Sequence, residues 1–335
     1  MTAAALDRLL AVLVAALAVT GLVSLRMGAA ADAWLFAVHG VLAAALAVTV
    51  GWKVARSLPK AVAARRWRRV VLGSTLSLAT CAALVGGFAW VVGGRLLTIG
   101  AWTVLTVHAW LGLFLIPLAV VHLLPRRWRL LVPRPRQPAA RPRGPIVSRR
   151  RLLVGASIGA ASIVLFGASE LADRMSGGIR RFTGSRWLPA GGVPPSTTFL
   201  GEGAPDIDPL AWRLRVRGPE RESTLSLAEL VALGTVDRSA VLDCTSGWAL
   251  ETTWGGVPLR AVLATTGGAS DRRVTVRSAT GWATSLAPEE VDRALLAVEV
   301  AGVALPVANG APCRLVVADH RGLDWVKWVV EVETA

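Results

Sequence analysis

The chain has 335 residues, of which 53% are hydrophobic, with 14 Trp, no Tyr and three Cys. That apolar share exceeds what an ordinary soluble enzyme carries, and three cysteines leave little for a disulfide framework. The net charge of +15 does not describe a nucleic-acid binder: residues 1–175 hold 21 basic and 4 acidic groups, whereas residues 176–335 hold 16 and 18. The excess therefore sits in the hydrophobic half and not on the face of a folded domain.

In chain order, apolar segments lie near 6–25, 33–55, 70–92, 98–124 and 152–172, each close to the about 20 residues that cross a bilayer. The loop after the second holds Lys53, Arg56, Lys60, Arg65, Arg66, Arg68 and Arg69, and the loop after the fourth holds ten Arg between Arg126 and Arg151. The loops after the first and third hold only Arg26 and Arg95. The positive-inside rule puts the N-terminus in the cytoplasm and residues 173–335 outside. This is the pattern of a multi-pass protein of the cytoplasmic membrane, in contact with lipid. Trp34, Trp90 and Trp102 would mark the outer interface, and Trp67 and Trp128 the inner one.

Residues 1–128 are thus expected to form a four-helix transmembrane domain. Residues 129–148, rich in Pro and Arg, read as a cytoplasmic linker that cannot bury a core. Ser148-Arg149-Arg150-Arg151 before the apolar residues 152–172 resembles an internal twin-arginine signal, the route for a domain exported folded. Residues 149–172 then form a fifth helix that stays as an anchor, with Gly155 and Gly159 as a small-residue pair suited to packing on another helix. Residues 173–195, with five Gly and three Pro, read as an external tether.

The pattern changes from about Ser196. Trp212–Gly218 alternates at the strand period, as do Arg273–Arg277, Arg314–Val317 and Trp325–Val332. Ser226 with Glu229 forms a capping box, and Pro288-Glu289-Glu290 opens another short helix. Strands and short helices mix without regular alternation, so residues 196–335 are read as an α+β domain behind an α-helical membrane bundle.

One residue in this half stands out. Cys244 lies in Val241-Leu242-Asp243-Cys244-Thr245-Ser246-Gly247-Trp248, between an apolar run and a Gly-Trp turn. A thiolate there suits a redox metal, although a free Cys is often only a small buried hydrophobe. Downstream come Trp254-Gly255-Gly256-Val257-Pro258-Leu259, then Leu305-Pro306-Val307-Ala308-Asn309-Gly310-Ala311-Pro312-Cys313-Arg314, then Gly322 and Val326-Lys327-Trp328. With Pro205-Asp206-Ile207-Asp208-Pro209, these ordered blocks resemble the oxidoreductase molybdopterin-binding family of sulfite oxidases and the periplasmic methionine-sulfoxide reductase catalytic subunit.

That resemblance implies a sulfite-oxidase-type fold and a molybdenum–molybdopterin cofactor. Cys244 would be the catalytic thiolate on molybdenum. Thr245, Ser246, Ser278, Thr280, Asn309, Gly310, Arg314, Gly322 and Lys327 would bind the cofactor. Arg314 and Lys327 suit its phosphate, and Asn309 its pterin edge. A Cys244–Cys313 disulfide would compete with the metal. The active-site Tyr of sulfite oxidases has no counterpart, and Ser246 stands where the reductase branch has an acid. Neither branch's substrate is implied.

Three of the four His lie in the apolar half. His39 and His108 fall at matching depth in the second and fourth segments, where two neutral imidazoles can ligate one b-type haem. His108 and His122 are spaced as in membrane cytochrome b helices, which this region resembles. Lys53 occupies the position that a second haem would need. The expectation is a membrane-anchored molybdenum oxidoreductase. It would act outside the membrane on a small-molecule substrate, by two-electron or oxygen-atom transfer, with a quinone or other redox partner and no nucleic acid. The alternative is a membrane-anchored binding or assembly module with a decayed site.

Overall fold

The computed structural model describes residues 3–65, 67–131, 149–196, 203–268 and 271–334. Most of the linker expected at 129–148, and the side chains of His122, Arg150 and Arg151, lie outside the described residues. The chain forms two compact units. Residues Met1–Ser24 and Ala33–Ile179 make the first, and residues Leu25–Asp32 and Arg180–Ala335 make the second.

The first unit contains α1 (Ala3–Ser24), α2 (Ala33–Ala63), α3 (Trp67–Val92), α4 (Val104–Leu131) and α5 (Arg149–Met175). A small hairpin of β1 (Thr98–Ile99) and β2 (Trp102–Thr103) lies between α3 and α4. All five helices contain a stretch long and apolar enough to cross a membrane, from Ala5–Ser24 to Leu152–Met175. Their hydroxyls are satisfied locally, Thr49 on Ala45 O at 2.5 Å and Thr80 on Leu76 O at 2.7 Å, as an apolar medium requires. Lys53 pairs with Asp7 between α2 and α1.

The fifth helix packs on α2 and α3, but not through the expected glycines. A Cβ built at Gly155 or Gly159 meets nothing within 4 Å, whereas one at Gly40 would fall 2.4 Å from Phe166 Cε2. The close approach is a ring of α5 laid over a bare backbone of α2.

The second unit runs through β3 (Arg186–Trp187), β4 (Arg213–Arg217), β5 (Glu222–Ser226), α6 (Leu227–Ala232), β6 (Val236–Cys244), β7 (Trp248–Pro258) and α7 (Leu259–Ala264). It continues through β8 (Val274–Ser278), β9 (Ala283–Leu286), α8 (Pro288–Val291), β10 (Ala294–Val300), β11 (Val303–Ala304), β12 (Arg314–Val317) and β13 (Val329–Thr334). Strand β7 pairs with β6, β10 and β3, and β10 also pairs with β11 and β12, giving one sheet. The other sheet has the order β5-β4-β13-β8-β9. Only β3–β7 and β4–β13 are parallel, so the α+β reading holds. Leu214, Trp254, Val257, Leu295, Leu296 and Leu315 are wholly buried in its core. The capping box forms: Glu229 N donates to Ser226 Oγ at 3.3 Å and Ser226 N to Glu229 Oε2 at 2.8 Å.

Two expectations need correction. Residues 173–195 are not a tether throughout, because α5 continues to Met175 and Arg180 onwards belongs to the second unit. Arg186, Leu188 and Gly191 donate from their backbone N to Gly247, Ala249 and Glu251 along β7, at 2.8, 2.9 and 2.8 Å. Backbone amides that can extend a sheet edge are satisfied there instead of in water. Trp325–Val332 is not one strand either; β13 starts at Val329. Trp328 has φ 51°, and its N donates to Gly310 O at 3.2 Å. The preceding residues therefore follow the Asn309–Gly310 turn and not the sheet.

Candidate functional site

Cys244 ends β6, and Thr245-Ser246-Gly247 make the hairpin loop into β7. Gly247 takes φ 102°, the left-handed residue that a three-residue hairpin needs, and its N donates to Cys244 O at 2.9 Å. The turn leaves Cys244, Thr245 and Ser246 half-buried. Cys244 Sγ lies 3.0 Å from Ser246 Oγ. Gly322 comes to the same place: its N donates to Asp243 O at 2.7 Å, and a Cβ there would sit 3.4 Å from Cys244 Cα.

A second group gathers at the start of β12. Asn309 and Arg314 are buried, and Arg314 Nη1 donates to Asn309 O at 2.8 Å. Gly310 has φ 116°, and a Cβ there would lie 3.1 Å from Lys327 Cα and 3.2 Å from Arg314 Cβ. Only glycine lets those two basic residues close on the turn. Asn309 Nδ2 donates to Pro194 O at 2.9 Å, and Lys327 Nζ to Ala308 O at 2.8 Å. Ser278 and Thr280 join this group through the backbone, since Ala279 N donates to Trp328 O at 2.8 Å. Their hydroxyls are 3.0 Å apart.

Sequence reasoning missed the indoles around Arg314. Its Cζ lies 5.4 Å from the Trp254 ring centroid and 5.8 Å from that of Trp325. Burial lowers the Arg314 pKa to about 10, and the nearby Cys244 partly offsets this. Among the described residues, Arg314 Nε, Trp254 Nε1 and Trp325 Nε1 are buried donors without an acceptor. Unpaired buried donors are costly, and a group rich in acceptors supplied from outside the chain fits them. Cys244 and Cys313 are separate thiols, as is Cys81. Cys313 is fully buried, which pushes its thiol far above the usual range, so it is a packing residue while Cys244 is the thiol open to a ligand.

Two further polar networks had no sequence signal beyond their residue types. Asp243 is fully buried beside Arg181, Thr183, Ser185 and Arg321. His320 lies between two carboxylates, with Nε2 2.6 Å from Glu290 Oε1 and Nδ1 3.1 Å from Asp324 Oδ2. It lines a cavity of about 430 Å³ with Arg26, Glu290 and Asp324. The Asp324 hydrogen bond, against burial and with help from Glu290, holds the imidazolium above the usual histidine range. Its stabilising contribution is complete below the unfolded value of about 6.5 and is lost as pH rises through the raised folded value. The thermal midpoint should fall across that window, and His320→Gln should flatten the fall. An equal fall in the variant would clear His320 of the effect.

A half-buried thiol and a cluster of buried donors without acceptors, on an α+β frame, suit a domain that binds an acceptor-rich group. Residues 202–335 match the oxidoreductase molybdopterin-binding domain family, and this domain belongs to it. The chain is 30% identical over 146 residues to the protein-methionine-sulfoxide reductase catalytic subunit MsrP of Xanthomonas axonopodis pv. citri. It is equally similar to that of Xanthomonas campestris pv. campestris. Each match covers 36% of this chain and 44% of the relative, so the chain spans less than half the length of either. A crystal structure of the sulfane dehydrogenase SoxCD from Paracoccus pantotrophus aligns at 24% identity and a TM-score of 0.38, over 43% of this chain and 45% of that one.

Proposed function

We propose that the protein is a membrane-anchored molybdenum–molybdopterin oxidoreductase whose second unit works outside the cytoplasmic membrane on a small substrate. The observation that carries this reading is the set of unpaired donors of Arg314, Trp254 and Trp325, with the Arg314 guanidinium close enough to Cys244 to be affected by its charge. A decayed site would not keep a buried guanidinium whose Nε lacks an acceptor beside two indole N–H groups that lack one too, because apolar replacements are less costly. Cys244 supplies the thiolate ligand. Arg314 supplies charge and donors, Lys327 and Asn309 line the neighbouring turn, and Ser278, Thr280 and Gly322 flank it. The cofactor, when bound, supplies two-electron or oxygen-atom transfer. Protein purified from cells with an active cofactor pathway should carry about one molybdenum per chain; none would end this reading.

Leu25–Asp32, which connects the first two apolar helices, is part of the second unit. Arg26 Nη1 pairs with Asp324 Oδ1 at 2.8 Å. This supports placing that connection and the oxidoreductase domain on one side, as the charge distribution of the loops also does. Export of the folded domain then falls to the Arg149–Arg151 signal. Arg149→Lys with Arg150→Lys should keep a reporter fused after Ala335 in the cytoplasm. Normal export would remove the twin-arginine assignment.

In the first unit, His39 and His108 would hold one haem, which would supply one-electron transfer. Their ring centroids are 6.3 Å apart at 80°. The tautomers agree. His108 Nδ1 lies 2.8 Å from Ala83 O, which only accepts. His39 Nδ1 lies 2.8 Å from Thr20 Oγ1, whose own proton goes to Ala16 O at 2.8 Å. Each Nδ1 therefore carries the hydrogen and each Nε2 the lone pair, the arrangement metal ligation needs. A quinone or another redox partner exchanges electrons with this bundle. Reduced protein should show a b-type optical band that His108→Ala abolishes while molybdenum content stays; a band that survives the substitution would exclude this pair.

A further inference from the structure

We infer that Asp243 is the positioning residue of the Cys244 thiolate. This rests on Cys244 being the metal ligand. Asp243 has no exposed surface, and its carboxylate is met by guanidiniums and hydroxyls from outside its own hairpin. Oδ2 accepts from Arg181 Nη1 at 2.6 Å and from Thr183 Oγ1 at 2.7 Å. Oδ1 accepts from Ser185 Oγ at 2.6 Å and faces Arg321 Nε at 3.4 Å. Arg321 then reaches the neighbouring residue, with Nη2 donating to Cys244 O at 3.2 Å and to Ser185 Oγ at 3.4 Å. Asp243 O is held too, by Gly322 N at 2.7 Å, and residues 243 and 321 form an isolated bridge.

A carboxylate buried among two guanidiniums and two hydroxyls has few alternative positions. Arg321 meets the Asp243 carboxylate as an ion pair and the Cys244 carbonyl through Nη2, so its guanidinium couples the peptide that carries the thiol to that carboxylate. Arg181, Thr183 and Ser185 lie on the turn before β3, upstream of the residues that match the family. Arg181 Nη2 also donates to Gly28 O at 3.0 Å. The direction of the Cys244 side chain is therefore set partly by residues outside the recognisable domain.

The test uses the full chain in two states. In cofactor-free protein, the alkylation rate of Cys244 by iodoacetamide is read by mass spectrometry of its own peptide. In loaded protein, molybdenum content and the sulfur-to-molybdenum charge-transfer band are read together. Asp243→Asn and Arg321→Lys should each raise the alkylation rate severalfold. They should also shift the band maximum of the molecules that still hold metal and lower molybdenum retention about 10-fold or more. A purely structural role would lower retention and leave the band maximum in place. Arg321→Lys keeps the charge and loses the fork, so it decides the matter if Asp243→Asn does not fold. Unchanged alkylation and an unchanged band in folded Arg321→Lys protein would overturn the inference. If wild-type protein holds no molybdenum, the proposed function fails, while the alkylation rates still decide the role of Asp243.

Discussion

Cys244→Ala protein should fold, keep its thermal midpoint within the equivalent of about 1 kcal/mol, and lose turnover by about a thousandfold or more, which is about 4 kcal/mol of transition-state stabilisation. The two halves of that result have different causes. Cys244 is only half-buried and lies in a hairpin turn held by backbone bonds, among them Gly247 N to Cys244 O at 2.9 Å. Deleting its sulfur opens no core cavity. The same sulfur is the one open to a ligand at the candidate site, because Cys313 is buried and kept protonated by its surroundings. Circular dichroism with a steady-state assay separates the two. A variant that retains a tenth of the activity would show that Cys244 is not the metal ligand.

Arg314→Met should have opposite effects on the empty and the loaded protein. The Arg314 guanidinium is buried between Trp254 and Trp325, and burial lowers its pKa to about 10. Since the folded value lies below the unfolded one, the charged form is disfavoured by folding at every pH below it. An apolar side chain of similar length removes that cost, so the cofactor-free variant should be as stable as wild type or more stable by about 1–4 kcal/mol. Cofactor retention should fall at least about 10–100-fold, as for other partners that hold a metal site. Molybdenum analysis after gel filtration and urea unfolding of the cofactor-free protein measure the two. Equal molybdenum retention would mean that Arg314 is only a core residue. A large loss of stability in the empty protein would mean that its ring contacts outweigh its desolvation.

The amino-acid sequence by itself determined what depends on local pattern. Five apolar stretches became five helices because their length and composition leave the backbone no better partner than itself. The α+β character of the second unit, the Ser226–Glu229 capping box and the start of α8 at Pro288 follow from periodicity and end signals. Cys244, Asn309, Gly310, Arg314 and Lys327 were legible because they lie in short blocks whose residue types suit one cofactor. What depended on distant parts of the chain was decided by the tertiary structure. Gly155 and Gly159 look like a packing pair, yet Gly40 against Phe166 makes the contact, since spacing along one helix does not say which face meets a neighbour. Residues 173–195 read as a tether by their Gly and Pro, yet those from Arg180 to Gly191 belong to the second unit. They order because a buried Asp243 needs Arg181, Thr183 and Ser185, and because the edge of β7 accepts their backbone amides. The Trp254–Arg314–Trp325 cluster likewise joins β7, β12 and the chain before β13, and side chains 71 positions apart share a pocket only because hydrophobic burial brings those strands together.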